Sequence, residues 1–399
     1  MLNVVNSDEA LQLITDNIPE NVISESVSLE YALGRISSED ICSPEDLPAF
    51  ARSTVDGYAI HSPDTFGCSE SIPAMLIYDG EILMGEQPDT PLAPGHCMKI
   101  PTGGALPPGA DAVSMIEYSD DPGDEFRYIY KPVSSLENVN NKGDDVQHDS
   151  VLVRKGELIT SKNTAILAAV GISEVKVTKP VTVGIISTGD ELVEYPVKPQ
   201  GAQIRNINSV MLAGQVREMN AYATTYPIVE DELDVLREAL TKAMSECDIV
   251  LISGGSSVGE KDNTFKILDE LGQVHFHGIS IKPGKPTLFA TVGGKPVFGL
   301  PGHPQAAFFI FKLFVRPALY KMMGRNGKPE TRLLTLRRTI PSNHGREEVV
   351  PVVITAQYAD PLYSKSGMVS VLARADGYIR IPRDAEGLQK GADVEVLLL

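Results

Sequence analysis

Residues 248–262 read DIVLISGGSSVGEKD. The first half, Ile249 to Ile252, is an unbroken apolar run rich in β-branched side chains, the pattern of a strand buried on both faces of a parallel sheet. The second half sets Gly254, Gly255 and Gly259 among Ser253, Ser256 and Ser257 and ends in Lys261 and Asp262. Glycine lets the backbone take positive φ and lets another group approach it, while serine offers a short hydrogen-bonding arm. A strand that runs into such a loop is built to hold an anion, although the loop taken alone also reads as a surface turn. The surrounding chain has to decide between the two.

Outward from this stretch, residues 181–323 alternate short apolar runs with amphipathic ones. VTVGII, AYATTYPIV, DIVLIS, QVHFHGIS, TLFATV and PVFGLP read as strands; NSVMLAGQVREM, DELDVLREALTKAM, NTFKILDEL and PQAAFFIFKLFVRPALYKMM read as helices. In DELDVLREALTKAM, Leu233, Leu236, Leu240 and Ala243 recur at helical spacing, with acids in the first turn where the helix dipole favours them. The alternation predicts βαβ units around a central, doubly wound, mostly parallel sheet. The flanks have another texture. Residues from about 50 to 140 are rich in Pro and Gly with short strand-like runs, and residues after 324 alternate with period two. The expected chain is therefore multidomain α/β plus β. An arm domain spans 1–48 plus 142–178, an inserted β-rich domain 49–141, the α/β domain 179–323, and a C-terminal β-barrel-like domain 324–399.

The chain has 399 residues, 42% of them apolar, which suits a folded protein of about two to four domains. With 53 acids against 35 Lys and Arg, the net charge is -18. Such a field repels nucleic acid and anionic membranes, so any anionic ligand has to be held by a local exception. Cys42, Cys68, Cys97 and Cys247 lie far apart without a CxxC or Cys/His cluster, and read as reduced, mostly buried thiols. Neither a signal peptide nor a transmembrane run is expected, which points to the cytoplasm.

In an open α/β sheet, ligands bind beyond the carboxyl ends of the strands. Four polar clusters fall at such ends: Asp190 and Glu191 after VGIISTG, Asp231 after TYPIVE, the SGGSSVGEKD loop after DIVLI, and Lys282 and Lys285 after VHFHGISI. Each acid is equally readable as a helix cap, and the lysines as solvated flanks of a Pro-Gly turn. If the clusters converge, the serine and glycine loop and the lysines neutralise phosphate or oxyanion. The carboxylates among them then imply a divalent cation such as Mg²⁺. Neither GxxxxGK[ST] nor a GxGxxG in a βαβ setting is present, so a Walker-type or ordinary dinucleotide site is not indicated. His303, in LPGHP after Pro301, reads either as a polar helix start or as a ligand contact.

Six stretches carry a resemblance: STVDGYAI (53–60), KIPTGGALPPGADAV (99–113), GIISTGDEL (184–192), LISGGSSVGEKD (251–262), IKPGKPT (281–287) and FGLPGHPQAA (298–307). In this order they resemble the MoeA family of molybdopterin molybdenumtransferases, related to the C-terminal part of gephyrin. The resemblance implies an elongated homodimer whose arm covers apolar surface of a second subunit, and an α/β domain similar to the molybdopterin adenylyltransferase fold. It implies insertion of molybdenum from molybdate into adenylylated molybdopterin with release of AMP, a divalent cation being present. Ser253, Gly254, Gly255, Ser257 and Gly259 would cradle the nucleotide or phosphate, and Lys282 and Lys285 would balance phosphate and molybdate charge. Pro301, His303 and Ser366 would complete the substrate contacts. Asp190, Glu191, Asp231 and Asp262 would place cation and water, with Asp145 a further acidic position, while Asp56 and Thr102 would reach in from the inserted domain. Arg346 and the Ser366-Gly367 pair suggest that the C-terminal domain serves the partner subunit's site. The adenylyltransferase and apo-molybdoenzymes are candidate partners, and tungstate is an alternative metal source.

The chain departs from the usual family pattern at His303 (Asn), Val55 (Met), Ser256 (Val or Thr) and Gly278 (Lys in some members). An adenylyltransferase or nucleotide hydrolase on the same fold is the alternative enzyme, and a non-catalytic assembly scaffold the alternative outside enzymes. STVDGYAI and PTGGALPPGADAV, both outside the α/β domain, favour metal insertion.

Overall fold

The computed structural model of the protein describes residues 4–19, 22–254, 262–327, 329–363 and 367–399. In its α/β domain six strands form one sheet: β1 (Thr182–Ser187), β2 (Tyr222–Thr225), β3 (Ile249–Ser253), β4 (Gln273–His277), β5 (Leu288–Val292) and β6 (Lys295–Leu300). Their order is β2-β1-β3-β6-β5-β4, with β2, β1, β3 and β6 parallel and β5 antiparallel to both its neighbours, β6 and the edge strand β4. The chain leaves β1 towards β2 on one side and then crosses to β3 on the other, so the strand order reverses between β1 and β3. That reversal opens a crevice at the carboxyl ends of these two strands.

Every residue of β3 is buried, and its alternate side chains serve opposite faces. Ile249 and Leu251 join Leu212, Val216 and Phe309 in one core, against the helices Asn208–Glu218 and Pro304–Ile310. Val250 and Ile252 join Leu236, Leu240, Ile267 and Leu268 in the other, against Leu233–Glu246 and Asn263–Leu271. The expected doubly wound, mostly parallel sheet is thus what the chain forms. Leu233, at the helix start, stays 37% exposed, and the stripe begins at Leu236.

The first helix, Ser7–Asn17, departs from the expected arm. Ala10, Ile14 and Ile18 are buried in the same core as Phe309 and Leu319 of the α/β domain, and Val5 pairs with Ile279. Its apolar stripe is amphipathic in the ordinary way, and nothing local in the sequence says which domain that stripe covers. Other parts of the expected arm pack with one another, although Ile36 joins the α/β core. Ser24–Ser28 pairs with Glu174–Thr178, and Ile41–Cys42 with Val151–Val153, around Ala32, Ile159, Leu167 and Val177. These pairings close the chain on either side of the inserted domain. That domain has its own six-stranded sheet and two small cores, around Tyr58 and Leu76 and around Ile82 and Ile100.

In the C-terminal domain, Glu347–Thr355, Tyr358–Pro361, Thr331–Leu336, Asp393–Leu398 and Gly377–Ile381 pair in that order, and the last pairs back to the first, closing a barrel. The short strand Ile281–Lys282, from the loop between β4 and β5, adds to this barrel beside Glu347 and Glu348. The α/β domain and the barrel are therefore hydrogen-bonded together directly behind Lys282. Cys97 and Cys247 are buried, Cys68 half-buried and Cys42 exposed, all as free thiols. No helix among the described residues is long and apolar enough to cross a membrane.

Gly57 in the VDG stretch is a test of the inserted sheet. A Cβ there would lie 1.9 Å from the carbonyl oxygen of Ser114 on the neighbouring strand. Gly57→Ala is expected to destabilise by roughly 2 kcal/mol or more, because the strand pair must separate to admit the methyl. Thermal unfolding of the purified protein checks it, and an unchanged midpoint would show that the sheet yields there.

Candidate functional site

Three strand exits meet at the crevice. The Thr188 amide donates to the Ser253 carbonyl at 3.0 Å, and the Gly254 amide donates to the Leu300 carbonyl at 3.3 Å, so the loops after β1, β3 and β6 are joined by backbone bonds. Gly254 has φ +104, and a Cβ on it would lie 2.1 Å from the Thr188 carbonyl oxygen. Only glycine allows this approach. Two asparagines complete the junction. Asn206 Oδ1 accepts from Ser187 Oγ at 3.1 Å, and Asn208 Nδ2 donates to Ser253 Oγ and to the Gly302 carbonyl, both at 2.8 Å. Sequence reasoning missed both, since asparagines before a helix look like ordinary caps; their spacing in RNINS (205–209) is the only local signal. Gly255, Ser257 and Gly259 of the expected cradle, together with Ser256 and Ser366, lie outside the described residues.

Of the expected acids, Asp190 and Asp231 come together. The Asp231 amide donates to Asp190 Oδ1 at 3.2 Å, and Asn263 Nδ2 donates to the Asp231 carbonyl oxygen at 2.7 Å. Glu191 follows directly, with its carboxylate folded back over Gly189. Asp262 is placed differently. It is 5% exposed, and its Oδ1 caps the helix Asn263–Leu271 by accepting from the Phe265 amide at 2.9 Å. Its Oδ2 lies 3.1 Å from His277 Nε2, whose ring stacks on Phe265. Neither of these two atoms has an aligned hydrogen bond among the described residues. The cap reading of this acid is therefore realised, whatever else the residue does. Asp145 is exposed in the turn beside Leu47, and no hydrogen bond or ion pair among the described residues ties its side chain to the crevice. Among the described residues no three His, Cys, Asp or Glu side chains converge as a metal cage. Asp190 and Asp231, carboxylate residues joined through a backbone bond, are donors of the kind Mg²⁺ takes, since it keeps several waters and uses one or two carboxylates plus substrate phosphate.

Beyond β6 lies a cavity of about 650 Å³ between the α/β domain and the barrel, and Lys282, Lys285, Pro301, His303, Arg346 and Glu348 are among its lining. Lys282 Nζ is 2.7 Å from Glu348 Oε1, so its charge is partly balanced within the protein. Lys285 and Arg346 are exposed and have no ion-pair partner among the described residues. Three cations and a histidine line one pocket of a chain with net charge -18. Arg346, from the barrel, lines this cavity of its own chain.

Asp56 and Thr102, far apart in sequence, meet in the inserted domain. Thr102 donates to Asp56 Oδ1 twice, from its amide at 2.7 Å and from its hydroxyl at 3.0 Å. The amide bond first, and the hydroxyl second, hold the Asp56 carboxyl below its ordinary value. No hydrogen bond or ion pair among the described residues links this pair to the crevice within one chain.

Three family descriptions match the chain in succession: the MoeA N-terminal region (domain I and II) over residues 5–171, a probable molybdopterin binding domain over 184–321, and the MoeA C-terminal region (domain IV) over 334–399. This chain belongs to the MoeA family. A molybdopterin biosynthesis protein of Methanocaldococcus jannaschii is 39% identical over 97% of this chain and 95% of its own length. A molybdopterin molybdenumtransferase of Staphylococcus aureus is 32% identical over 99% and 96%. The solved structure of a MoeA protein from Pyrococcus horikoshii OT3 superimposes with a TM-score of 0.89 at 36% identity, covering 99% of this chain and all of that one (100%). The match to a probable molybdopterin binding domain, over 184–321, coincides with the α/β domain that carries the crevice and one wall of the cavity.

Thr102→Val removes the hydroxyl bond to Asp56 and leaves the amide bond. The Asp56 pKa is expected to rise part of the way back toward 3.8, as read by NMR titration of its carboxyl carbon. A depressed carboxyl stabilises the fold above its unfolded pKa, and that stabilisation is lost as pH falls through the folded value. The variant should accordingly differ from wild type above about pH 4 and converge with it in stronger acid. An unchanged titration would remove the hydroxyl from the pair.

Proposed function

We propose that this MoeA-family chain is a molybdopterin molybdenumtransferase of molybdenum cofactor biosynthesis, a transferase that takes adenylylated molybdopterin and molybdate and releases AMP. The observation that carries the reading is the meeting of Lys282, Lys285 and Arg346, from two domains, on one cavity next to the switch-point crevice. In a strongly acidic protein that cavity is the local exception an anion needs. The strand-end backbone around Gly254 and the loop that follows it take the nucleotide end of the substrate, and the basic cavity takes its other anionic end together with molybdate. Preorganised cations of this kind stabilise developing oxyanion charge without reorganising during the reaction.

Asp190 and Asp231 are the residues that would hold Mg²⁺, which when bound neutralises phosphate charge and acidifies water. Glu191 and Asp262 act from either side of this pair, with Asp262 anchoring the exit of the serine and glycine loop through its helix cap. Asp56 enters ionised and oriented, its Oδ1 held by the Thr102 amide and hydroxyl. Since no hydrogen bond or ion pair among the described residues links Asp56 or Thr102 to the crevice of its own chain, the reading includes a homodimer in which one subunit's inserted domain serves the other's crevice. Exposed Ile23, Tyr31 and Leu33 on the arm offer apolar surface for such a contact.

Three outcomes are expected. Lys285→Ala should weaken substrate binding or turnover about ten- to a hundredfold, the loss of a charge-assisted contact worth roughly 1.5–3 kcal/mol, with stability almost unchanged. A change within about 0.5 kcal/mol would return the lysine to being a solvated turn residue. Asp262→Ala should lose about 1 kcal/mol of stability with its cap. It should also slow AMP release while the substrate still binds, and near-normal release would sink its catalytic role. For assembly, mixing Asp56→Ala with Lys285→Ala protein should restore activity that neither has alone; no recovery after subunit exchange would argue against a shared site.

A further inference from the structure

The buried amide of Asn208 stands where the exits of β3 and β6 touch. Its side chain sits at the first turn of the helix Asn208–Glu218, is 7% exposed, and spends both N–H groups: one on Ser253 Oγ at the β3 exit, one on the Gly302 carbonyl at the β6 exit. A primary amide is planar and its two N–H directions are fixed, so both acceptors are held at a set separation. The helix that presents it is itself held in the core by Leu212, Ala213 and Val216. Close by, a side chain added at Gly302 would lie 3.8 Å from the Gly254 Cα, so the two loops are in van der Waals range. The β3 exit leads into the crevice; the β6 exit continues through Pro301 and His303 into the basic cavity.

We infer that Asn208 is a positioning residue that sets the register between the crevice and the basic cavity, and so governs recognition of a substrate long enough to occupy both. The inference rests on the two-subsite reading above. A ligand that fills only one subsite does not sense their relative placement. A ligand that spans both gains from the second contact only when the geometry permits both at once. Loss of the Asn208 bridge should consequently discriminate between a whole substrate and its parts, which a general loss of stability does not.

Gln215 supplies a matched control on the same helix. It is 3% exposed, its Nε2 donates to the Phe308 carbonyl at 3.4 Å, and its Oε1, like Asn208 Oδ1, has no partner among the described residues. Asn208→Leu and Gln215→Leu each replace a buried amide with an apolar side chain of the same charge. Binding is measured by calorimetry for adenylylated molybdopterin, for AMP alone and for molybdate alone, with thermal midpoints recorded for each protein. Asn208→Leu is expected to weaken the intact substrate by about tenfold or more and each fragment by less than about threefold, while Gln215→Leu shifts the midpoint without this selectivity. Equal weakening of substrate and fragments, or equal behaviour of the two variants, overturns the inference. Should Asn208→Leu not fold, Asn208→Ser keeps a single O–H donor in place, and wild-type affinity of that variant for the intact substrate overturns it as well. Wild-type protein that fails to bind the intact substrate overturns the two-subsite reading itself, and this inference with it.

Discussion

The close approach of Gly254 to the Thr188 carbonyl is the constraint on which the site depends. It requires a backbone with φ +104 and no Cβ, and it brings the β1 and β3 exits into direct hydrogen-bonding contact. From there the Gly254 amide reaches Leu300, so the third exit is drawn in by the same few atoms. A side chain at this position would push the β1 loop away, and Asp190 and Glu191 with it. The helix cap at Asp262 and the Asn263 bond to Asp231 then hold the far side of the loop.

Charge at the site depends on how a second domain holds one loop. The α/β domain places Asp190, Glu191 and Asp231 after β1 and β2, an arrangement that repels an anion. Lys282 and Lys285 come from the loop between β4 and β5, and that loop is held by pairing of Ile281–Lys282 with the barrel strand Glu347–Thr355. The barrel adds Arg346 and also Glu348, which takes part of the Lys282 charge. The cavity takes two of its cations from the α/β domain and one from the barrel, and its charge is moderated by Glu348, a carboxylate from the same strand that fixes the position of the lysine loop.

The other elements act as supports at a distance. The first helix packs on the α/β core beside the helical segment 311–322 instead of joining the arm, so the α/β domain is finished by residues far from it in sequence. The arm is closed by strands on both sides of the inserted domain, which leaves that domain free to fold on its own sheet and to present Asp56 and Thr102 as a preassembled pair. The contact between Asp190 and Asp231 in the crevice and the pair of Asp56 and Thr102 in the insertion are thus both organised before any ligand arrives.

Local pattern was enough for the sheet. Strands of a parallel sheet covered on both faces are continuous apolar runs, and DIVLI, VTVGII and PVFGLP each carry that signature within a handful of residues. The same holds for the helical stripe of Leu236, Leu240 and Ala243, and for the clustering of acids and lysines at strand ends. The barrel's period-two runs and the composition of the insertion were equally legible, because each reflects which face of one element meets a core. The roles of particular polar side chains were not. Asn208 gains its meaning from Ser253 and Gly302, Lys282 from Glu348, and Asp262 from both the helix it caps and His277. Likewise the allegiance of the first helix was decided by which core its stripe could fill. Sequence periodicity records how an element faces its surroundings; which surroundings it meets is settled only when distant segments pack, and in this chain that packing turned a readable set of motifs into one crevice and one cationic cavity.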